Sequence, residues 1–193
     1  MSVQITVAST PPEAGCPVLS FPGLTQKLSA LQDFPGLAEV SQWIAQVSIT
    51  PQDVCKHRRF RPGTYSRNHV LRNEFLEVLI LCWEPGQCTV IHDHNGSFGV
   101  VRVLEGELSE TLFVQDEQQV LRRNREAKWQ PGAVTGADVP DIHRLYNCPD
   151  SGQKLVTLHV YCPPLHKLNT YTENSAEIVQ IISGETPQTC TES

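Results

Sequence analysis

Seven residues, Leu155 to Tyr161, set the strongest constraint on what this chain can fold into. Thr157, His159 and Tyr161 alternate with Val156, Leu158 and Val160. Successive side chains of a β-strand point to opposite faces, so one face is a hydroxyl-imidazole-phenol row and the other is apolar. Such a row can orient and polarise the Tyr161 hydroxyl. From Glu74 onward, further short strand-like runs are separated by Glu84-Pro-Gly86, Asn95-Gly96 and Pro131-Gly132. This pattern predicts a mainly β fold, an antiparallel β-barrel or jelly roll. Upstream, Leu24-Leu28-Leu31 and Leu37-Val40-Ile44-Val47 have helical spacing, and Thr50-Pro51-Gln-Asp53 offers an N-cap with Pro at the first helical position. Two or three N-terminal helices therefore precede the strands, and their apolar faces would cover the outer side of Val156, Leu158 and Val160. There is no internal repeat.

His92 and His94 are also two apart, so they share a strand face while Ile91 and Asp93 point the other way. The β-branched Thr89-Val90-Ile91 before them and the turn-like Asn95-Gly96-Ser97 after them place the pair at a strand end. The helical spacing of a zinc-protease His-x-x-x-His is absent. Alone, the pair leaves an incidental placement open. Its surroundings say more: Gly86 precedes His92 by five intervening residues, Gly106 closes a hairpin after the strand from Phe98 to Leu104, and His143 with Asn147 forms a second element. The arrangement resembles the two motifs of the cupin superfamily, with Gly99 at the position of the first motif's Glu. In the second motif Gly132 matches, whereas Asp138 and Pro140 stand where the superfamily has Pro and Gly. Without that Glu, His92, His94 and His143 would form a neutral ligand set, leaving a bound cation its full charge for anionic ligands such as a thiolate.

Tyr65 and Arg67 are likewise two apart, which aims a phenol and a guanidinium at one space. Guanidinium presents paired donors to a carboxylate. With these residues the resemblance narrows to the cysteine dioxygenases. Tyr65-Ser-Arg67-Asn68, Leu81-Cys-Trp83, Ile91-His-Asp-His94, Leu104-Glu-Gly-Glu-Leu108, Glu110-Thr-Leu-Phe113, His143-Arg144 with Asn147, and Leu158-His-Val-Tyr161-Cys-Pro-Pro164 follow that family's order over residues 60 to 165. The resemblance implies a cupin-type barrel in which His92, His94 and His143 hold ferrous iron. It implies that Arg67, with Tyr65 and Tyr161, binds the substrate carboxylate, and that Thr157, His159 and Tyr161 are the catalytic row. The implied reaction converts L-cysteine and O2 to cysteine sulfinate. In animal members a Cys at the position of Gly99 is joined by a thioether to the tyrosine matching Tyr161, so this chain is similar to the bacterial type, with Tyr161 unmodified. The resemblance also implies a cis Cys162-Pro163 peptide.

Two other functions stay open. One is dioxygenation of another small thiol, 3-mercaptopropionate or mercaptosuccinate; the mercaptopropionate type is marked by Gln in place of Arg67. The other is a cupin module that holds a metal without turnover. Individual residues have plainer readings as well: Arg67 as a barrel-closing ion pair, His159 as a core histidine, Trp83 and Phe98 as packing residues.

Composition is that of a single-domain enzyme. The 193 residues carry 21 acidic and 15 basic side chains, and the one basic cluster, Lys56-His-Arg58-Arg59 with Arg61, reads as a solvated helix end, not a nucleic-acid groove. No apolar run reaches the roughly 20 residues of a membrane span, and the start lacks a basic and apolar leader. A cytoplasmic monomer without membrane or nucleic-acid partners is expected. Seven cysteines, without a C-x-x-C pair, suggest mostly free thiols. Composition further suggests loosely ordered ends at residues 1–20 and 184–193, around the single domain at 21–183 that the resemblance implies to be a cupin.

Overall fold

The computed structural model describes residues 4–7, 19–137 and 141–184. Three short helices lead, α1 (Phe21–Ser29), α2 (Leu37–Gln46) and α3 (Pro51–Val54). The starts of α1 and α3 are legible locally: the Ser20 hydroxyl accepts from the Gly23 N–H, and Thr50 and Asp53 cap each other's backbone reciprocally. The described residues also form twelve strands: β1 (Gln4–Val7), β2 (Ser66–Arg72), β3 (Glu77–Trp83), β4 (Ile91–His92), β5 (Phe98–Glu105) and β6 (Leu108–Gln115). The remainder are β7 (Leu121–Trp129), β8 (Val134–Ala137), β9 (His143–Tyr146), β10 (Leu155–Cys162), β11 (Lys167–Tyr171) and β12 (Ile178–Ile182). They pair antiparallel into two six-stranded sheets, β1-β8-β5-β10-β3-β2 and β12-β11-β4-β9-β6-β7. This is the expected cupin-type architecture.

The two faces of β10 settle where the cores lie. Val156, Leu158 and Val160 pack outward against Phe21, Leu24, Leu28, Val40 and Ile44 of α1 and α2. Each such fully buried aliphatic side chain contributes roughly 1.5–3 kcal/mol relative to exposure. On the inner side, Leu79, Leu81, Trp83, Val101 and Val103 of the first sheet join Leu108, Leu145 and Leu168 of the second. The polar row of β10 opens into that interior.

Two expectations need correction. Gly106 does not close a hairpin, because β5 pairs with β8 and β10 whereas β6 pairs with β7 and β9. Both edges of β5 are taken, so the turn hands the chain from one sheet to the other. It passes so close to the β10 lead-in that a Cβ on Gly106, at φ +75°, would lie 2.5 Å from the Lys154 carbonyl oxygen. Nor is all of residues 1–20 loose: Gln4–Val7 forms β1 against β8, and Ser20 caps α1. The rest of the expected N-terminal segment, the tail beyond Gly184, Asp138, Pro140, Cys16 and Cys190 lie outside the described residues. The Cys162–Pro163 peptide is cis. Cys55, Cys82, Cys148 and Cys162 are free, and Cys88 is disulfide-bonded.

Candidate metal centre

β4 is only two residues long and lies between β9 and β11, with His92 in register opposite both His143 and Thr170. His94 follows just past the strand end, ahead of a turn through Asn95 and Gly96, both at positive φ, which the Ser97 N–H closes on the His94 carbonyl. Asp93 points the opposite way. It accepts from the Asn95 N–H at 2.8 Å, the Tyr171 hydroxyl at 2.6 Å and the Asn169 amide at 3.1 Å, and this anchorage turns His92 and His94 inward.

The three imidazoles form a nearly equilateral triangle, with ring centroids 5.2, 4.9 and 5.0 Å apart. One nitrogen from each lies within 4.8 Å of the others. Hydrogen bonding decides which nitrogens are free. His92 Nδ1 lies 2.9 Å from the Val90 carbonyl and therefore carries hydrogen, leaving Nε2 as a lone-pair donor. His143 Nδ1 lies 2.8 Å from Glu110 Oε1, and its Nε2 is buried without a partner, as are both nitrogens of His94. Buried polar atoms are seldom left unsatisfied, and a cation at the centre of the triangle would take up these lone pairs. The residues present fit a divalent transition metal.

Burial, reinforced by the charge of His143, lowers the pKa of His92 to about 3 and holds His94 well below the usual histidine value. His143 behaves differently: burial opposes its charging, yet Asp141 and Glu110 raise its pKa to about 9. For Glu110 burial acts upward, but the hydrogen bonds from His143 and Trp129 leave its carboxyl below the usual range. The centre is thus less cationic than the loss of the cupin Glu implied, because carboxylates return one bond further out, Glu110 at 2.8 Å and Asp141 at 3.7 Å from His143 Nδ1. Such a partner orients a ligating imidazole and raises its basicity. Sequence reasoning assigns Glu110 no role. Its signal was parity: on β6 it lies on the same side as the core residue Leu108, where alternation calls for an apolar side chain.

The facing sheet supplies the other polar groups. Trp83 Nε1 donates to Thr157 Oγ1 at 3.0 Å, Thr157 Oγ1 lies 2.8 Å from His159 Nε2, and His159 Nδ1 lies 3.0 Å from the Tyr161 hydroxyl. Burial, then the Arg67 charge, keeps His159 neutral, while burial raises the Tyr161 phenol far above its ordinary value. Tyr161 stands 5.1 Å, ring to ring, from His94 and pairs across the sheet with Gly99. A Cβ on Gly99 would meet His94 Cε1 at 3.1 Å and Tyr161 Cε1 at 3.3 Å. Arg67 does make an ion pair, with Glu77 at 3.6 Å, and also donates to Ser183 Oγ at 3.2 Å. With Tyr65 it borders both a cavity of about 10 Å³ beside His92, His159 and Tyr161 and an outer cavity of about 460 Å³ leading to the surface. Trp83, fully buried, stacks on Tyr65 at 4.1 Å. Asn147 ties loops together through the Trp83 and Gln153 carbonyls and stands apart from the triangle's donor set.

Residues 29–174 match the family model described as Cysteine dioxygenase type I. The chain belongs to this family. Cysteine dioxygenase type 1 of Danio rerio is 28% identical over 148 residues, and that of Homo sapiens 28% over 154, each alignment covering 74% of this chain and 73% of the relative. Among solved structures, the protein TT1209 from Thermus thermophilus aligns with a TM-score of 0.49 at 25% identity, over 58% of this chain and 95% of that one. An oxalate decarboxylase from Bacillus subtilis aligns with a TM-score of 0.46 at 13% identity, over 68% and 31%. The cysteine dioxygenase match spans the histidine triangle, the β10 row, Tyr65 and Arg67 alike. Among the described residues no helix is long and apolar enough to cross a membrane.

Proposed function

We propose that this chain is a thiol dioxygenase that converts L-cysteine and O2 to cysteine sulfinate, with ferrous iron held by His92, His94 and His143. The observation that supports the reading is the small cavity lined by His92 of the triangle together with Tyr65, Arg67, His159 and Tyr161, which sets a guanidinium and a phenol beside a candidate metal ligand. Iron, when bound, supplies the one-electron chemistry that O2 requires and favours the substrate thiolate.

The chain's own residues do the rest. Arg67 receives the substrate carboxylate through charge-assisted hydrogen bonds, its guanidinium held in place by Glu77 and Ser183. Tyr161, kept protonated by burial, offers its hydroxyl to the carboxylate or to the reacting oxygen. The inner space, about 10 Å³, is closed by buried side chains and keeps bulk water from the histidines. Both oxygen atoms of O2 end on sulfur, which is oxidised by four electrons as O2 is reduced, the level protein thiols reach as sulfinic acid. The Arg at position 67, where the mercaptopropionate type carries Gln, favours an amino-acid substrate.

The test is O2 uptake by iron-loaded protein with L-cysteine, cysteamine, 3-mercaptopropionate and mercaptosuccinate, with sulfinate quantified. L-cysteine should be consumed fastest, one O2 per sulfinate. Preference for a thiol without an amine would transfer the assignment to that substrate, and no uptake with any thiol would leave a binding module.

A further inference from the structure

The hydrogen-bond chain on β10 starts one residue earlier than the row itself. Trp83 of β3 brings its indole N–H to Thr157 Oγ1 at 3.0 Å, and an indole nitrogen is a donor only. Trp83, Thr157 and His159 are all fully buried, so solvent does not compete for these bonds.

From Thr157 onward the chain can run in two directions. In the first, the Thr157 hydroxyl donates to His159 Nε2 and His159 Nδ1–H donates to the Tyr161 oxygen, so the Tyr161 O–H is left to donate into the cavity beside His92. In the second, His159 carries its proton on Nε2 and gives it to Thr157. Tyr161 then spends its own O–H on His159 Nδ1 and turns a lone pair to the cavity. That direction points two N–H donors, from Trp83 and His159, at one oxygen and strands the Thr157 hydroxyl hydrogen in a site closed to water. The first direction lets each bond polarise the next.

We propose that Trp83 is a positioning residue: its indole N–H sets the direction of the Thr157–His159–Tyr161 chain, so that Tyr161 presents a proton and not a lone pair to the reacting ligand. Its sequence context reads as that of a packing residue, and Trp83 does pack, stacked on Tyr65. The indole therefore braces the carboxylate side of the cavity with its ring and orders the proton side with its N–H. The catalytic consequence rests on the dioxygenase reading; the direction of the bonds does not.

The test is nitrogen NMR of histidine-labelled protein, metal-free and zinc-loaded, which reads the His159 tautomer directly. Wild type should carry the proton on Nδ1, and Trp83→Phe should shift the population toward Nε2. With iron, Trp83→Phe should lower kcat for L-cysteine by roughly tenfold to a hundredfold, reaching the low end of what a positioned proton donor contributes. That loss should vanish when Trp83→Phe is made in a Tyr161→Phe background. A wild-type His159 protonated on Nε2, a tautomer unmoved by Trp83→Phe, or an equal loss in the Tyr161→Phe background would each overturn the proposal. Should Trp83→Phe fail to fold, the wild-type spectrum still decides, together with Thr157→Val, which must erase the Nδ1 preference. Absence of thiol oxidation in a protein with the Nδ1 tautomer would sink the dioxygenase reading and leave the direction intact.

Discussion

Gly99 touches both halves of the centre, since a single added carbon would press on His94 and on Tyr161. Gly99→Ala should therefore tilt the His94 ring and weaken iron binding several-fold, measured by competition with a chromogenic chelator; unchanged affinity would mean that the ring yields freely. Gly99→Cys places a thiol beside the phenol, and turnover with iron, O2 and cysteine should then yield a tryptic species lighter by two hydrogens than its separate peptides. The wild-type Tyr161 peptide should show its unmodified mass. For Arg67→Ala, loss of a charge-assisted bond worth about 1.5–3 kcal/mol should raise the KM for L-cysteine by roughly ten- to hundredfold, and that for cysteamine, which has no carboxylate, far less. An equal rise for both would make Arg67 a purely structural ion-pair partner of Glu77. The three histidines, the β10 row and Arg67 were all legible from two-residue spacing and family order. Glu110 and the Trp83 N–H were not, because each acts through a partner distant in sequence and on another strand, and spacing reports only neighbours on one strand.

Local signals located most elements and misjudged their connections. The cap of α3 was written in Thr50 and Asp53, and the apolar side of β10 announced the helices that cover it. Gly106 marked a turn correctly, yet nothing local to it states that β8 and β10 already occupy both edges of β5. The brevity of β4 was equally hidden, since Thr89-Val-Ile91 is strand-prone but only Ile91 and His92 form the strand, while the Thr89 N–H goes to the Leu145 carbonyl outside it. One long-range tie invites a test at this scale. Arg102 of β5 donates to the Ile44 and Val47 carbonyls at 2.8 and 2.6 Å, closing the C-terminus of α2 onto the sheet. Arg102→Met should destabilise the fold by about 1.5–3 kcal/mol in urea titration while iron content stays at wild-type level. A loss of iron in the folded variant would show that α2 docking reaches the centre.

For the molecule as a whole, the buried histidines set a pH window. His92, His94 and His159 have folded pKa values below the unfolded value near 6.5, so they remain neutral in the fold and the unfolded chain binds more protons. Their contribution is present above about pH 6.5 and is lost as pH falls, with His92 titrating near 3. His143, raised to about 9, has the opposite sign: it stabilises below about 6.5 and that share is lost as pH rises through 9. Three groups oppose one, so metal-free protein should show its highest urea midpoint near neutrality and a steep decline toward about pH 4.5. A midpoint that climbs on acidification would refute this ordering. At the same scale, His92 and His143 lie in the sheet of β4 and β9, with His94 just past the end of β4, while Arg67, Trp83, Thr157, His159 and Tyr161 belong to the sheet of β2, β3 and β10. Under the proposed function the centre would be a seam with separate tenants on its two sides, one sheet keeping the ion and the other choosing and orienting what meets it. Substitutions on opposite banks should combine additively wherever their side chains do not touch. A lineage could then exchange one thiol for another by rewriting the sheet of β2, β3 and β10, with its hold on the metal carried over intact.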